Sequence, residues 1–71
     1  MAYQLTDEEK KGIIDARLKS IESSIYDVQL SVEEENSIQS PSADILASLS
    51  SRLTDLNARK AVLEAKLEEL E

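Results

Sequence analysis

The chain has no cysteine, no histidine, no tryptophan and no phenylalanine among its 71 residues, and only one glycine. Disulfide frameworks and the usual structural zinc sites are therefore excluded, since they need cysteine or histidine ligands. The same absences remove nucleophile–histidine pairs and glycine-rich phosphate loops. Carboxylate pairs on open helix faces have nothing to separate their pKa values for acid–base catalysis. We therefore expect no enzyme activity, no metal and no cofactor.

Long hydrophobic runs are also missing. No segment approaches the roughly 18 apolar residues that span a bilayer, and the first residues lack the basic and apolar regions of a signal peptide. The net charge of −7 repels phosphate backbones and anionic lipid surfaces. We expect neither a nucleic-acid nor a membrane partner, and no secretion by a visible signal.

What the sequence does contain is two heptad repeats. Hydrophobic residues make up 41% of the chain and charged residues 32%, a composition typical of coiled coils. Apolar residues recur at alternating steps of three and four, which places them on one seam of a helix. The first seam consists of Ile14, Leu18, Ile21, Ile25, Val28 and Val32, and the second of Leu46, Leu49, Leu53, Leu56, Leu63 and Leu67.

Helix signals set the expected boundaries of a single domain. Thr6 and Glu9 have the spacing of a capping box, which starts the first helix. Ser40 as N-cap and Pro41 at the first helical position start the second. The predicted segments are an N-terminal arm and cap (1–6), helix 1 (7–36), a turn (37–40) and helix 2 (41–71).

The two seams pair best in an antiparallel hairpin. In that register the residue numbers of every facing pair have the same sum, so that Ile25 faces Leu56 and Val28 faces Leu53. The sequence thus predicts an all-α fold, a two-helix antiparallel coiled-coil hairpin. Lys60 interrupts the second seam, and its side chain either fixes the register or extends its charged head past the seam to the surface. Two helices bury too little apolar surface to be comfortably stable alone, so we expect assembly into a homo-oligomeric helical bundle.

Charges beside the seam are segregated by sign. In an antiparallel pair, equivalent flanking positions of the two helices face each other, so the hairpin acquires two charged edges. The basic edge comprises Lys10, Arg17, Arg52, Arg59 and Lys66, and the acidic edge comprises Glu8, Asp15, Glu22, Glu64 and Glu71. Alternatively, the charges only form local pairs, such as Asp15 with Lys19, that solubilise each helix.

The two edges predict how copies of the chain associate. A twofold dimer joined edge to edge would oppose like charges, whereas a head-to-tail contact brings the basic edge of one copy to the acidic edge of the next. We therefore expect the copies to close into a ring, most simply a trimer. Tyr26 and Leu30, one turn apart and away from the seam, form a small patch that favours a further contact. The predicted oligomer interface is Asp15, Arg17, Glu22, Tyr26, Leu30, Arg52, Arg59, Glu64 and Lys66.

The stretch from Tyr3 to Ile14, followed by Ser24-Ile25-Tyr26-Asp27-Val28 and Glu34-Glu35-Asn36, resembles small uncharacterised helical-hairpin proteins encoded by marine tailed phages, cyanophage-like ones in particular. The resemblance implies a virus-encoded structural or accessory protein, found in the virion or in the cytoplasm of an infected cell. It implies other virion proteins as further partners, and it carries no site residues.

Two functions are compatible with these features. The first is a noncatalytic, oligomeric interaction or structural protein. The alternative, implied by a similarity in size and helical content to such proteins, is a small oligomeric phage anti-defence protein that sequesters an anionic, cyclic-nucleotide signal. In that case Arg17, Arg52, Arg59 and Lys66 would surround the anion, with Tyr3 or Tyr26 stacked on its base.

Overall fold

A computed structural model of the chain describes residues 4–71, which form two helices that pack against each other as a hairpin. Helix α1 spans Asp7–Ser37 and helix α2 spans Ala43–Leu70, with no strand in the described part of the chain. The predicted all-α hairpin is therefore confirmed. The molecule measures 59 × 24 × 15 Å. Its smallest dimension is close to the diameter of one helix, so no further layer covers the pair.

The start of α1 is fixed by the predicted capping box. The Thr6 hydroxyl accepts a hydrogen bond from the Glu9 amide at 3.1 Å, and the Glu9 carboxylate accepts one from the Thr6 amide at 3.0 Å. Asp7 and Glu8 add negative charge at the positive end of the helix dipole. Two backbone donors that the helix itself leaves unpaired are thus satisfied.

The start of α2 differs from the prediction. The helix begins at Ala43 with Ser42 as its N-cap, so Ser40 is not the cap and Pro41 precedes the helix. The Ser42 hydroxyl accepts from the Ile45 amide at 3.3 Å, while the Ser42 amide donates to the Glu35 carboxylate at 3.1 Å. Ser42 is therefore held from both sides, by its own helix and by the end of α1. This second contact explains why the later serine is used.

The buried core is small and lies where the sequence places it. Ile25, Val28 and Leu56 are the buried hydrophobic residues of the described chain, exposed by 8%, 4% and 7%. Partly buried residues pack against these three, namely Ile21, Leu49 and Leu53. Ile25 and Leu56 therefore share one cluster, as the predicted register requires.

All other predicted core residues are half-buried. They retain partial exposure because one helix covers only one side of its partner in a two-helix arrangement. This group consists of Ile14, Leu18, Ile21, Val32, Leu46, Leu49, Leu53, Leu63 and Leu67. The periodicity thus identifies the seam correctly, while the isolated hairpin leaves most of it in contact with water.

Candidate interaction surface

The basic edge is a shallow groove between the two helices. Arg17 on α1 and Arg59 on α2 line one depression of about 410 Å³, together with Ser20 and Val62. Its apolar wall includes Ile21 and Leu63, the seam residues that face this side. The two guanidinium groups therefore border a surface that is mostly hydrocarbon, open to solvent and large enough for a side chain or a small molecule.

The groove continues toward the end of the hairpin opposite the turn. A second depression, of about 360 Å³, is lined by Lys10 and Lys66 from the basic edge. Leu5, Ile13, Ile14 and Leu70 supply its apolar wall. Glu69 also borders it and approaches the Lys66 ammonium at 3.5 Å in an exposed pair. Such a pair contributes about 0 to 1 kcal/mol, so Lys66 remains able to contact another carboxylate.

Toward the turn, the groove narrows. Arg52, Asp55, Leu56 and Arg59 enclose a depression of about 90 Å³. All four of these residues belong to α2, and Arg59 also borders the depression beside Arg17. We call the three depressions together the basic-edge groove. Every predicted residue of the basic edge lines it, on the side of the hairpin opposite the acidic edge.

Exposed apolar side chains accompany the groove. Ile13 and Val62 line it while retaining 47% and 61% exposure. Ile45, exposed by 48%, occupies the flanking heptad position of the basic edge near the turn, and Ile38, exposed by 52%, follows the end of α1. The charge pattern of this edge predicted its basic residues but not its apolar content. Assigning Ile13 and Val62 to the heptad position beside the basic residues would have found it.

On the acidic edge, Glu22 is paired within the chain. The Lys60 Nζ lies 2.5 Å from Oε1 of the Glu22 carboxylate, and the Lys60 side chain is 30% exposed. Lys60 therefore extends its head out of the seam to the surface, one of the two roles expected for it. The hydrogen bond and charge of Glu22, with a smaller contribution from Glu64, raise the pKa of Lys60 above its usual 10.5.

The Tyr26 and Leu30 patch lies along the same side of α1 as Glu22, since the three residues follow one another at one-turn intervals. Tyr26 is 63% exposed and Leu30 is 38% exposed. Neither is covered by α2, so the exposed patch expected from the sequence is present. Tyr3, the other aromatic residue considered for ligand stacking, lies outside the described residues.

Local ion pairs do not account for the charge pattern. The structure shows two ion pairs among residues 4–71, Lys60 with Glu22 and Lys66 with Glu69. Asp15 with Lys19, one of the local pairs expected if charges only solubilise single helices, is not one of them. Asp15, Arg17 and Glu64 thus remain exposed and available for contacts outside the hairpin.

The described residues include many carboxylates on the helix surfaces. They contain no cluster of three or more acidic, histidine or cysteine side chains arranged to hold a metal ion. In the Glu33-Glu34-Glu35 run, Glu35 instead binds the Ser42 amide. Within residues 4–71, neither helix combines the length and apolar character of a membrane span.

Comparison with known proteins found no matching family model, no matching curated protein and no matching solved structure. Functional inference therefore depends on the geometry of the seam and the two edges.

Proposed function

We propose that this chain is a noncatalytic protein that associates with copies of itself, in a homo-oligomeric coiled-coil bundle whose simplest form is a trimer. Its role is structural or accessory, in a tailed-phage virion or in the infected cell, where other virion proteins are further partners. The phage assignment is supported by the sequence resemblance described above. The assembly is supported by features of the hairpin itself.

Incomplete burial of the seam is the observation that carries the proposal. Only Ile25, Val28 and Leu56 are buried among the described residues, although two full heptad seams are present. Apolar burial stabilises by about 25 cal/mol per Å², and the half-buried seam residues forgo part of that gain in a single hairpin. No disulfide compensates, because the chain has no cysteine. Association with further helices is the remaining means of covering the seam.

The two edges favour a particular mode of association. Each exposed ion pair contributes only about 0 to 1 kcal/mol, so apolar contacts must supply most of the association energy. The charges act mainly by excluding the arrangement that opposes like edges and by selecting the head-to-tail one. Ile13 and Val62 on one side, and Tyr26 and Leu30 on the other, provide apolar surface at both edges.

Charge reversal tests this proposal. Arg52→Glu with Arg59→Glu should dissociate the assembly or increase its dissociation constant by at least about tenfold, since two contacts become repulsive. The measurement is mass by light scattering after size exclusion at matched concentrations. Unchanged mass and affinity would refute an interface at the basic edge.

A matched control separates charge from helix effects. Ser51→Glu with Ala58→Glu adds two negative charges, half the change made by the reversal, to the face of α2 that points away from both edges, where both positions are exposed. We expect this variant to assemble like the parent chain. If it dissociates as well, the change in total charge, and not the edge, is responsible.

One observation favours the second candidate function, the sequestration of an anionic nucleotide. The depression between Arg17 and Arg59 is of about 410 Å³, within the range of small-ligand sites, and has an apolar wall suited to a base. Thermal-shift measurements with cyclic nucleotides test this candidate, because a ligand that binds only the folded state raises the melting temperature. An increase that disappears in Arg17→Ala would favour sequestration, while no increase would favour the structural role.

A further inference from the structure

We infer that neighbouring copies stack in register and in the same direction, so that the acidic edge of α1 in one copy lies along the basic edge of α2 in the next. Tyr26 of the first copy then enters the groove between Arg52 and Arg59 of the second. This inference rests on the proposed self-association and specifies its geometry and its contact residues.

The register of the hairpin places opposite charges at matching heights. Because Ile25 and Val28 pack with Leu56 and Leu53, each residue of α1 lies level with a defined residue of α2. A neighbour displaced sideways, without shift along the long axis, therefore presents a basic residue of its α2 at the height of Asp15 and of Glu22. The level pairs between α1 of one copy and α2 of the next are Asp15 with Lys66 and Glu22 with Arg59.

Tyr26 is positioned to fill the narrow part of the groove. It follows Glu22 by one turn, so it stands between the levels of Arg59 and Arg52. These two arginines border the depression of about 90 Å³, which Leu56 lines as an apolar residue. An aromatic ring there packs on Leu56 and accepts cation–π contacts from the guanidinium groups.

Asp55 gives a second reason to place Tyr26 there. It is an acidic residue in an otherwise basic groove, it borders the same depression, and it lies level with Tyr26. Its carboxylate is a hydrogen-bond acceptor for the phenol hydroxyl, which usually finds a partner when buried at an interface. Thus the apolar, cationic and acceptor groups around the depression all match a tyrosine.

Reversed stacking fits less well. Turning the neighbour end over end about the hairpin centre moves Tyr26 from the level of Asp55 to that of Leu63, away from the depression between Arg52 and Arg59. It also moves Asp15 from the level of Lys66 to that of Arg52. A repeated reversal cannot be generated by rotation about one axis, whereas same-direction stacking closes into a ring.

Variants of Tyr26 test the contact. Tyr26→Ala should weaken assembly about five- to tenfold, whereas Tyr26→Phe, which keeps the ring, should weaken it less. Neither change should lower the stability of the isolated hairpin, because Tyr26 is 63% exposed. Tyr26→Ala with unchanged assembly would overturn this contact.

Cross-linking tests the direction of stacking. The chain has no cysteine, so Asp15→Cys and Lys66→Cys each introduce a unique thiol. The two variants, one carrying a mass tag, are unfolded and refolded together and treated with a short thiol-reactive cross-linker. A parallel mixture of Asp15→Cys with Arg52→Cys reports on reversed stacking.

In-register stacking predicts a strong cross-link between the Asp15→Cys and Lys66→Cys chains and a weak one in the parallel mixture. An oligomer that cross-links mainly through Asp15→Cys and Arg52→Cys, or through neither pair, would overturn the inference while leaving self-association intact. A mixture that remains monomeric would overturn both.

Discussion

The layers around Ile25 and Leu56, on the turn side of the middle of the hairpin, are better closed than the layers at the open end, although both have the same heptad pattern. The buried residues of the described chain, Ile25, Val28 and Leu56, all lie at or on the turn side of the middle layers. Depressions of about 410 and 360 Å³ lie beside the open half, against about 90 Å³ beside Leu56. Equal periodicity therefore does not produce equal packing.

Two physical differences explain the contrast. The turn holds the helix ends together, and the bond from the Ser42 amide to Glu35 fixes their separation. In the open half, Lys60 occupies a seam position and directs its head to Glu22, so Ile21 lacks an apolar partner in its layer. The open half thus has more to gain from a neighbouring copy, and the turn half more to lose from a cavity.

The largest expected effect is a cavity in the turn half. Leu56→Ala should lower the free energy of unfolding by about 2 to 5 kcal/mol, because Leu56 is 7% exposed and its layer cannot readily collapse. Leu67→Ala, in the half-buried open half, should cost only about 1 to 2 kcal/mol in the dissociated chain. Urea denaturation followed by circular dichroism measures both.

Asp27→Ala, at an exposed position, serves as the control and should leave the free energy of unfolding nearly unchanged. Equal losses for Leu56→Ala and Leu67→Ala would mean that the two halves are packed alike.

Helix caps give the next largest effect. Thr6→Ala removes the capping box at the open end and should cost about 1 kcal/mol. Ser42→Ala removes the hydrogen bond that the hydroxyl accepts from the Ile45 amide, but the backbone amide at position 42 still donates to the Glu35 carboxylate. We therefore expect the free energy of unfolding to fall by a similar or smaller amount. Hydrogen exchange would locate each loss in the first turn of its own helix. Loss of hydrogen-exchange protection throughout α1 in Thr6→Ala would show that the first turn does not unfold independently of the rest of the helix.

Gly12 allows the open half to be strengthened. An added Cβ there would meet no atom within 4 Å, so the glycine serves no close approach. Gly12→Ala should stabilise the hairpin by roughly 0.5 to 1 kcal/mol through helix propensity alone. The midpoint of urea unfolding measures the gain. A destabilised variant would indicate that a neighbouring copy approaches the backbone at this position.

The smallest effect concerns pH. The pKa of Lys60 is raised in the folded chain, so its pairing with Glu22 stabilises the hairpin below the unfolded pKa and is lost as pH rises through the folded one. We expect the free energy of unfolding to decrease above about pH 10.5. In Lys60→Met this decrease should be smaller, because the variant has no ammonium to lose its proton. An identical pH profile in the variant would show that other groups cause it.

Periodicity predicted the seam and the register because both are set by side-chain spacing along each helix. The N-cap of α2 was predicted wrongly because Ser40 and Ser42 are equally good cap residues, and the choice depends on Glu35, which approaches only after the turn has formed. The apolar wall of the groove was missed for a related reason. It is formed by Ile13 and Val62 from different helices, and their proximity to the basic residues follows from the pairing of the helices.

The mass of the unmodified chain in solution tests the central claim most directly. Sedimentation equilibrium over a range of micromolar concentrations should give a defined small multiple of the chain mass, three in the simplest ring, with weaker association as salt screens the edges. A monomer throughout that range would contradict the account, since the half-buried seam would then be stable without a partner.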